Sequence, residues 1–353
     1  MSRSWSCFDH DRRVQLEVLY RAGHSKREMA AFLGVHLSTI YRELRRGLCR
    51  QRDTEWREYY TYSAAVADAD ARSHRSNCGA PLKLGGNVAL ASYVACRIRD
   101  DRYSPAAVSA ELRHLGLGYL CEDTIYRYIH RRLIPGLKSS HLPEHGIRKH
   151  PVKPTEKKCN KKQAGRSIEE RPAIVDARST FGHWEMDCVV GKAKGTNESV
   201  LVLTERLTRA ELIFKLPRKD SVSVVGVLDH LSRRCSFSRI FKSITMDNGS
   251  EFSACYRLEH TASGRRRTHC FYCHPYTSCE RGSNENANRL IRRWFKKGRS
   301  LSAVNGSDCL RVARWMNTYP RQVLGWKTAS EAFREACEAE GIKISPYLSQ
   351  FLS

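Results

Sequence analysis

No apolar run in this 353-residue chain approaches the roughly 20 residues needed to cross a bilayer, so no membrane span is expected. The opening MSRSWSCFDHDRR lacks the apolar core of a secretory signal. The 14 cysteines are scattered rather than densely spaced. Without an export signal they are expected as reduced thiols, not as a disulfide framework. Acid is scarce: 37 Asp and Glu stand against 61 Lys and Arg, for a formal net charge of +24. Such an excess attracts a polyanion, with nucleic acid the first partner to consider and a merely solubilising surface the alternative. Apolar residues at 41% exclude global disorder. The expected protein is multidomain, cytoplasmic and nucleoid-associated.

Residues 16–47 read LEVLYRAGHSKREMAAFLGVHLSTIYRELRRG. A helix ends near Gly23, and Ser25 with Glu28 three positions on forms a capping box that opens the next. That helix stops at Gly34, and a third begins near Ser38 with Ile40 and Leu44 turned inward. Ala30, Gly34 and Ile40 then supply the small contact residue, tight turn and core anchor of a helix-turn-helix. Ser38, Thr39, Tyr41 and Arg42 are left on the exposed side, beside Arg45 and Arg46, as DNA-contacting candidates. An ordinary helical hairpin is the competing reading.

A second helical unit follows. YSPAAVSAELR (103–113) places Ser-Pro at a helix start, and the TIYR of CEDTIYRYIHRR (121–132) echoes the TIYREL of the first unit. Arg127, within that echo, joins the DNA-contacting candidates, with a purely packing role for the unit as the alternative. A Lys-, Pro- and Gly-rich stretch then reads as a basic linker. The expected organisation is a helix-turn-helix domain over 1–60, a second helical unit over 61–135, the linker over 136–172, a catalytic domain over 173–335 and a tail over 336–353.

Beyond the linker the period changes. Strand-like runs cover 181–191, 198–207 and 210–217, followed by a helix over 219–234 and a strand over 242–247. A helix is expected from Ser250, a strand over 269–273, and a long helix from about Ser283 to Lys297. This is the element order of an RNase H-like (retroviral integrase-type) α/β fold with a mixed sheet. The all-α N-terminal region and this domain together define the expected fold class.

The first run, GHWEMDCVVG, alternates Trp184, Met186, Cys188 and Val190 on one strand face with Glu185 and Asp187 on the other. Strands usually avoid Asp, which competes for backbone hydrogen bonds, so an acid there has something to hold. Asp247 ends the fourth strand in TMDNGSEF, and Glu285 opens the last helix in RGSNENANRLIRRWF. Neighbouring first and fourth strands would bring Asp187 and Asp247 together, and Glu285 would close the set. Three such carboxylates repel one another unless a divalent cation lies between them. Hard oxygen donors suit Mg²⁺ or Mn²⁺. Two ions about 4 Å apart would activate a water or 3′-hydroxyl for phosphodiester transfer. On the last helix, Ala287, Leu290, Ile291, Trp294 and Phe295 form the core stripe, and Arg289 and Arg292 are candidates for backbone phosphate.

RPAIVDARSTFGHWEMDCVVG, ITMDNGSEF, PYTSCERGSNENANRLIRRWFKKG and NTYPRQVLGWKTASEAF, with the N-terminal STIYRELRRG, resemble the IS-thirty family of DDE insertion-sequence transposases. The resemblance spans most of the chain. It implies that Asp187, Asp247 and Glu285 are the DDE triad and the metal ligands. It further implies that the N-terminal helices bind terminal inverted repeats in double-stranded DNA, and that cut ends are joined to a target without a covalent protein–DNA intermediate. Paired ends make a homo-oligomer on DNA the expected assembly. The chain departs from the family at His274 and Cys279, and a basic insert over 264–270 lengthens the spacing before Glu285.

Other readings compete. Cys270, Cys273, His274 and Cys279 offer zinc-ligand types, but the odd separation of the first pair puts them on opposite faces of a strand. Cys188 and Cys235 are expected as core filling. Glu185 is either a spare ligand or an ion-paired strand acid, His183 is a neighbour of the metal site, and Glu251 is expected as a helix cap. A catalytically impaired DNA-binding regulator and a structure-specific DNA nuclease are the alternative functions.

Overall fold

The computed structural model describes residues 8–76, 78, 82–143, 165–191, 198–274 and 282–353. The chain divides into two compact units, 1–85 and 86–353.

The first unit contains α1 (His10–Arg21), α2 (Lys26–Phe32), α3 (Leu37–Gly47), a hairpin of β1 (Leu48–Arg52) and β2 (Glu58–Tyr62), and α4 (Ala64–Ser76). The capping box at Ser25 is present: Ser25 N donates to Glu28 Oε2 at 2.7 Å, and Glu28 N donates to Ser25 Oγ at 3.3 Å. Gly34 turns the chain between α2 and α3 at φ +62°, a conformation side chains rarely adopt. Leu16, Met29, Ala30, Ile40 and Leu44 form the core with Tyr62, Ala64 and Ala67. A buried ion network ties α1 to α3 and α4, with Arg13 reaching Glu43 at 3.1 Å and Asp68 at 2.7 Å. This unit runs past the boundary expected at residue 60, because Ala64 and Ala67 on α4 complete its core.

The hairpin is absent from the sequence reading. It leaves α3 without a loop, in the register Leu48↔Tyr62 to Arg52↔Glu58. A Cβ on Gly47 would lie 2.3 Å from Tyr62 Cε2, so glycine is needed where helix meets hairpin.

The second unit opens with α5 (Val88–Arg99), α6 (Pro105–His114) and α7 (Glu122–His130). Ser104 caps α6, with Pro105 in its first turn. The five-stranded sheet comprises β3 (His183–Val190), β4 (Ser199–Glu205), β5 (Glu211–Leu216), β6 (Ser243–Met246) and β7 (His269–Tyr272). Around it run α8 (Ser221–Arg234), α9 (Phe237–Ile240), α10 (Cys255–Glu259), α11 (Gly282–Ile291), α12 (Gly306–Thr318), α13 (Ala329–Ala339) and α14 (Pro346–Leu352).

The strand order is β5-β4-β3-β6-β7, with β3–β4 and β4–β5 antiparallel and β3–β6 and β6–β7 parallel. The first strand of the sheet therefore neighbours the fourth, as the RNase H-like order requires. Among the described residues no helix is long and apolar enough to cross a membrane.

Three elements differ from the sequence reading. Helix α11, expected from about Ser283 to Lys297, ends at Ile291. The chain there tightens into three-residue turns, with Arg293 N bonded to Leu290 O and Trp294 N to Ile291 O. In place of a helix from Ser250, a 3-10 turn over Ser250–Phe252 precedes α10. Residues 336–353, expected as a tail, contribute the end of α13 and all of α14, where Leu348, Phe351 and Leu352 are buried. Asn317 Nδ2 donates to Phe351 O at 2.8 Å and fastens α14 to α12. The helical segment at the start of this unit also packs on the sheet domain: Trp315 Nε1 donates to Asp101 O at 2.6 Å, and Ser104 Oγ lies 2.8 Å from Tyr319 Oη.

Candidate active site

Strand β3 pairs with β6 in the register His183↔Ser243, Trp184↔Ile244 and Glu185↔Thr245. Continued by two residues, the same register levels Asp187 with Asp247, which lies just past the end of β6. Asn248 Nδ2 donates to Cys273 O at 2.6 Å and Cys273 N to Met246 O at 2.9 Å, so the segment carrying Asp247 is pinned to the end of β7. Asp247 Oδ1 accepts from Gly249 N at 3.0 Å. Asp187 accepts from Cys188 N at 2.9 Å and from Asn288 Nδ2 at 2.8 Å. Asn288 lies on α11, three residues after Glu285 and hence on the same helical face. Glu285 itself is exposed in the first turn of that helix. Among the described residues, no three His, Cys, Asp or Glu side chains stand close enough together to share one ion.

Glu185 resolves as an ion-paired strand acid. It is fully buried, 2.5 Å from Arg206 Nη1, and its Oε2 accepts from Asn284 N at 3.0 Å. It thereby fastens the start of α11 to the sheet. His183 lies beside Ser243, with Nδ1 2.8 Å from Oγ. Burial, with Lys242, Arg206 and Arg171 nearby, pushes its pKa down to about 4, so the ring is neutral at pH 7. Trp184 is core, stacked on Phe241 with its Nε1 donating to Ile240 O.

Around the end of β6 the electrostatics are crowded. Burial raises the Cys188 thiol well above its usual range, reinforced by the carboxylates of Glu251, Asp187 and Asp247. Glu251 caps no helix: the turn that contains it has no side-chain cap bond. Its partner is Lys219, with Nζ 3.0 Å from Oε1. Burial opposes the Lys219 charge, but contact with Glu251 and the proximity of Cys188 and Asp247 outweigh it and raise the lysine pKa. Of the zinc-type residues, Cys270 and Cys273 are buried, His274 lies 3.3 Å from Glu169, and Cys279 falls outside the described residues.

Residues 10–47 match the family model of a helix-turn-helix domain. Over 92% of its length the chain is 30% identical to the transposase for insertion sequence element IS4351 of Bacteroides fragilis, covering 94% of that protein. It is similarly 30% identical to the probable transposase for insertion-like sequence element IS1161 of Streptococcus salivarius, over 94% of this chain and 95% of that one. With transposase InsI for insertion sequence element IS30C of Escherichia coli (strain K12) the identity is 31%, over 90% and 81% of the two chains. The chain belongs to the IS-thirty family of insertion-sequence transposases.

In this transposase the helix-turn-helix presents Ser38, Tyr41, Arg42 and Arg45 as exposed side chains of α3, with Thr39 half-buried. Arg42 Nε donates to Ser38 O at 3.3 Å, and the Lys26 ammonium lies 4.5 Å from the centre of the Tyr41 ring. Arg46 is different. Half-buried, it is ion-paired with Glu43 and reaches Asp70 at 3.0 Å, so its guanidinium fastens α3 to α4. On α7, Arg127 is exposed near Thr124. On α11, Arg289 is exposed and bonded to Asn286. Arg292 is half-buried and donates to Val190 O at 2.8 Å.

Three participants escaped the sequence reading, Arg206 and Asn284 as the partners of Glu185 and Lys219 beside Glu251; Asn288 was read onto the Glu285 face of the helix, but without its bond to Asp187. Asn288 had a local signal in its spacing from Glu285. The others come from distant parts of the chain and had none.

Proposed function

We propose that this transposase reads its element's terminal repeats through α3 and cuts and joins DNA at Asp187, Asp247 and Glu285. The observation that carries the reading is the parallel β3–β6 register, which levels Asp187 with Asp247 while Asn288 holds the Glu285 helix against Asp187.

The donor set suits a hard cation: it consists of carboxylate oxygens, and beside Asp247 a buried Glu251 oxygen has no hydrogen-bond partner. A pair of Mg²⁺ or Mn²⁺ ions supplies activation of a water or 3′-hydroxyl and stabilisation of the leaving oxygen when bound. Asp187 and Asp247 offer oxygens from adjacent strands, and Glu285 offers a third from the start of α11. Asn288 orients Asp187, Glu185 fixes the helix that carries Glu285, and exposed Arg289 contacts backbone phosphate. Arg292 supports the strand end through Val190 O.

In the N-terminal unit, Ser38, Thr39, Tyr41, Arg42 and Arg45 face the major groove, and Arg127 adds a contact from α7. Arg46 maintains the fold of the reading unit. Two ends must be processed together, so the working form is a homo-oligomer on DNA.

The test is cleavage of labelled DNA bearing the element's own ends with Mg²⁺ or Mn²⁺, comparing wild type with Asp247→Asn. Metal-dependent nicking that vanishes in the variant, with end-binding retained, is expected. Nicking by the variant at the wild-type rate would remove Asp247 from the chemistry. Tight binding without nicking by either protein would favour a DNA-binding regulator.

A further inference from the structure

A fourth acid stands beside Asp247. Glu251 is 3% exposed, in the turn that follows β6. One of its oxygens meets Lys219, while the other, Oε2, is buried without a hydrogen-bond partner. An acid present only to start the turn or to hold the lysine would be expected to accept a backbone N–H or hydroxyl there, since an unpaired buried oxygen is costly. Oε2 is instead turned, with an oxygen of Asp247, towards one face of Gly249. A Cβ built on Gly249 would meet Glu251 Oε2 at 2.6 Å and Asp247 Oδ1 at 2.9 Å, so the two oxygens converge on one side of that glycine and lie close to each other.

The charge balance points the same way. Two carboxylates turned towards one glycine repel each other when charged, and nearby Asp187 adds a third. The Lys219 ammonium supplies a single positive charge, and its own side chain is 39% exposed at the margin of the group. A divalent cation would meet the remaining demand with the donor type it prefers.

We propose that Glu251 is a further carboxylate ligand of the catalytic centre, taking a divalent cation together with Asp247 beside Gly249. Lys219 balances the pair until the cation arrives and yields when it binds. This inference rests on the assignment of Asp247 as a metal ligand.

The experiment is a Mn²⁺ titration of the full chain, with free Mn²⁺ followed by electron paramagnetic resonance and folding checked by circular dichroism. Wild type is compared with Glu251→Gln, Asp247→Asn and Lys219→Met. Glu251→Gln and Asp247→Asn are each expected to weaken Mn²⁺ binding by at least about tenfold, and Lys219→Met to tighten it. A folded Glu251→Gln protein with wild-type affinity, while Asp247→Asn is weakened, overturns this inference alone. Unchanged affinity in Asp247→Asn overturns the assignment beneath it. If Glu251→Gln does not fold, Lys219→Met decides: tighter binding supports the proposal, and unchanged binding overturns it.

Discussion

Asn288 donates a hydrogen bond to Asp187 at 2.8 Å, joining two residues 101 positions apart in the chain. It links side chain to side chain the strand that carries one acid of the proposed triad and the helix that carries another, beside the Glu185 contact with Asn284 N. Asn288→Ala is expected to lower the nicking rate by about 10–100-fold, the range for losing a hydrogen bond to a charged group. Affinity for element ends, measured by gel shift, should stay unchanged. A wild-type rate would mean that Asp187 needs no such clamp.

Glu185 and Arg206 are both buried and form an ion pair at 2.5 Å. Glu185→Ala would remove the buried carboxylate from the Arg206 guanidinium, leaving it Val175 O and the exposed Asp176, and free the Asn284 end of α11. A loss of about 3–5 kcal/mol in unfolding free energy is expected from denaturant titration. A loss below about 1 kcal/mol would show that the pair adds little to holding α11.

Arg42 and Arg45 project from α3 with exposed side chains. If they contact the duplex, Arg45→Ala should weaken binding across DNA sequences alike and flatten the salt dependence by about one unit of slope. Arg42→Ala, nearer the start of the helix, should relax the preference for element ends at a cost of about 1–3 kcal/mol. Arg46→Ala should instead lower stability, because that guanidinium binds Glu43 and Asp70.

His183 has its pKa depressed to about 4 by burial and neighbouring cations, against an ordinary 6.5. Between those values the unfolded chain takes up a proton that the folded ring refuses. Stability contributed here is therefore complete above pH 6.5 and is lost as pH falls towards 4, on the order of 3 kcal/mol. His183→Asn should flatten that part of the stability-versus-pH profile. An unaltered slope would place the titration elsewhere.

Much of the fold was legible because its signals are local. The Ser25–Glu28 capping box, the Gly34 turn and the inward positions of Ile40 and Leu44 follow from helical spacing. The strands that carry Asp187 and precede Asp247 follow from runs of apolar and β-branched residues. The hairpin after α3 was not legible: CRQR and EYYT are mostly exposed, so no apolar alternation marks them. Nor was the true end of α11, where the apolar stripe continues through Trp294 and Phe295 while the backbone tightens and leaves the helix.

The sequence by itself determined the elements, their order and the acids available to them, since hydrophobic period, caps and turns act over a few residues. It also determined the family, through motifs that survive in order along the chain. Which partner each acid meets was decided only by tertiary structure. Glu185 and Asp187 are two residues apart on one strand, yet one is locked to Arg206 and the other faces α11. Glu251 became distinct from a helix cap only once Gly249 and Lys219 were packed around it. Those differences depend on burial and on partners brought from distant segments, and no local pattern encodes either.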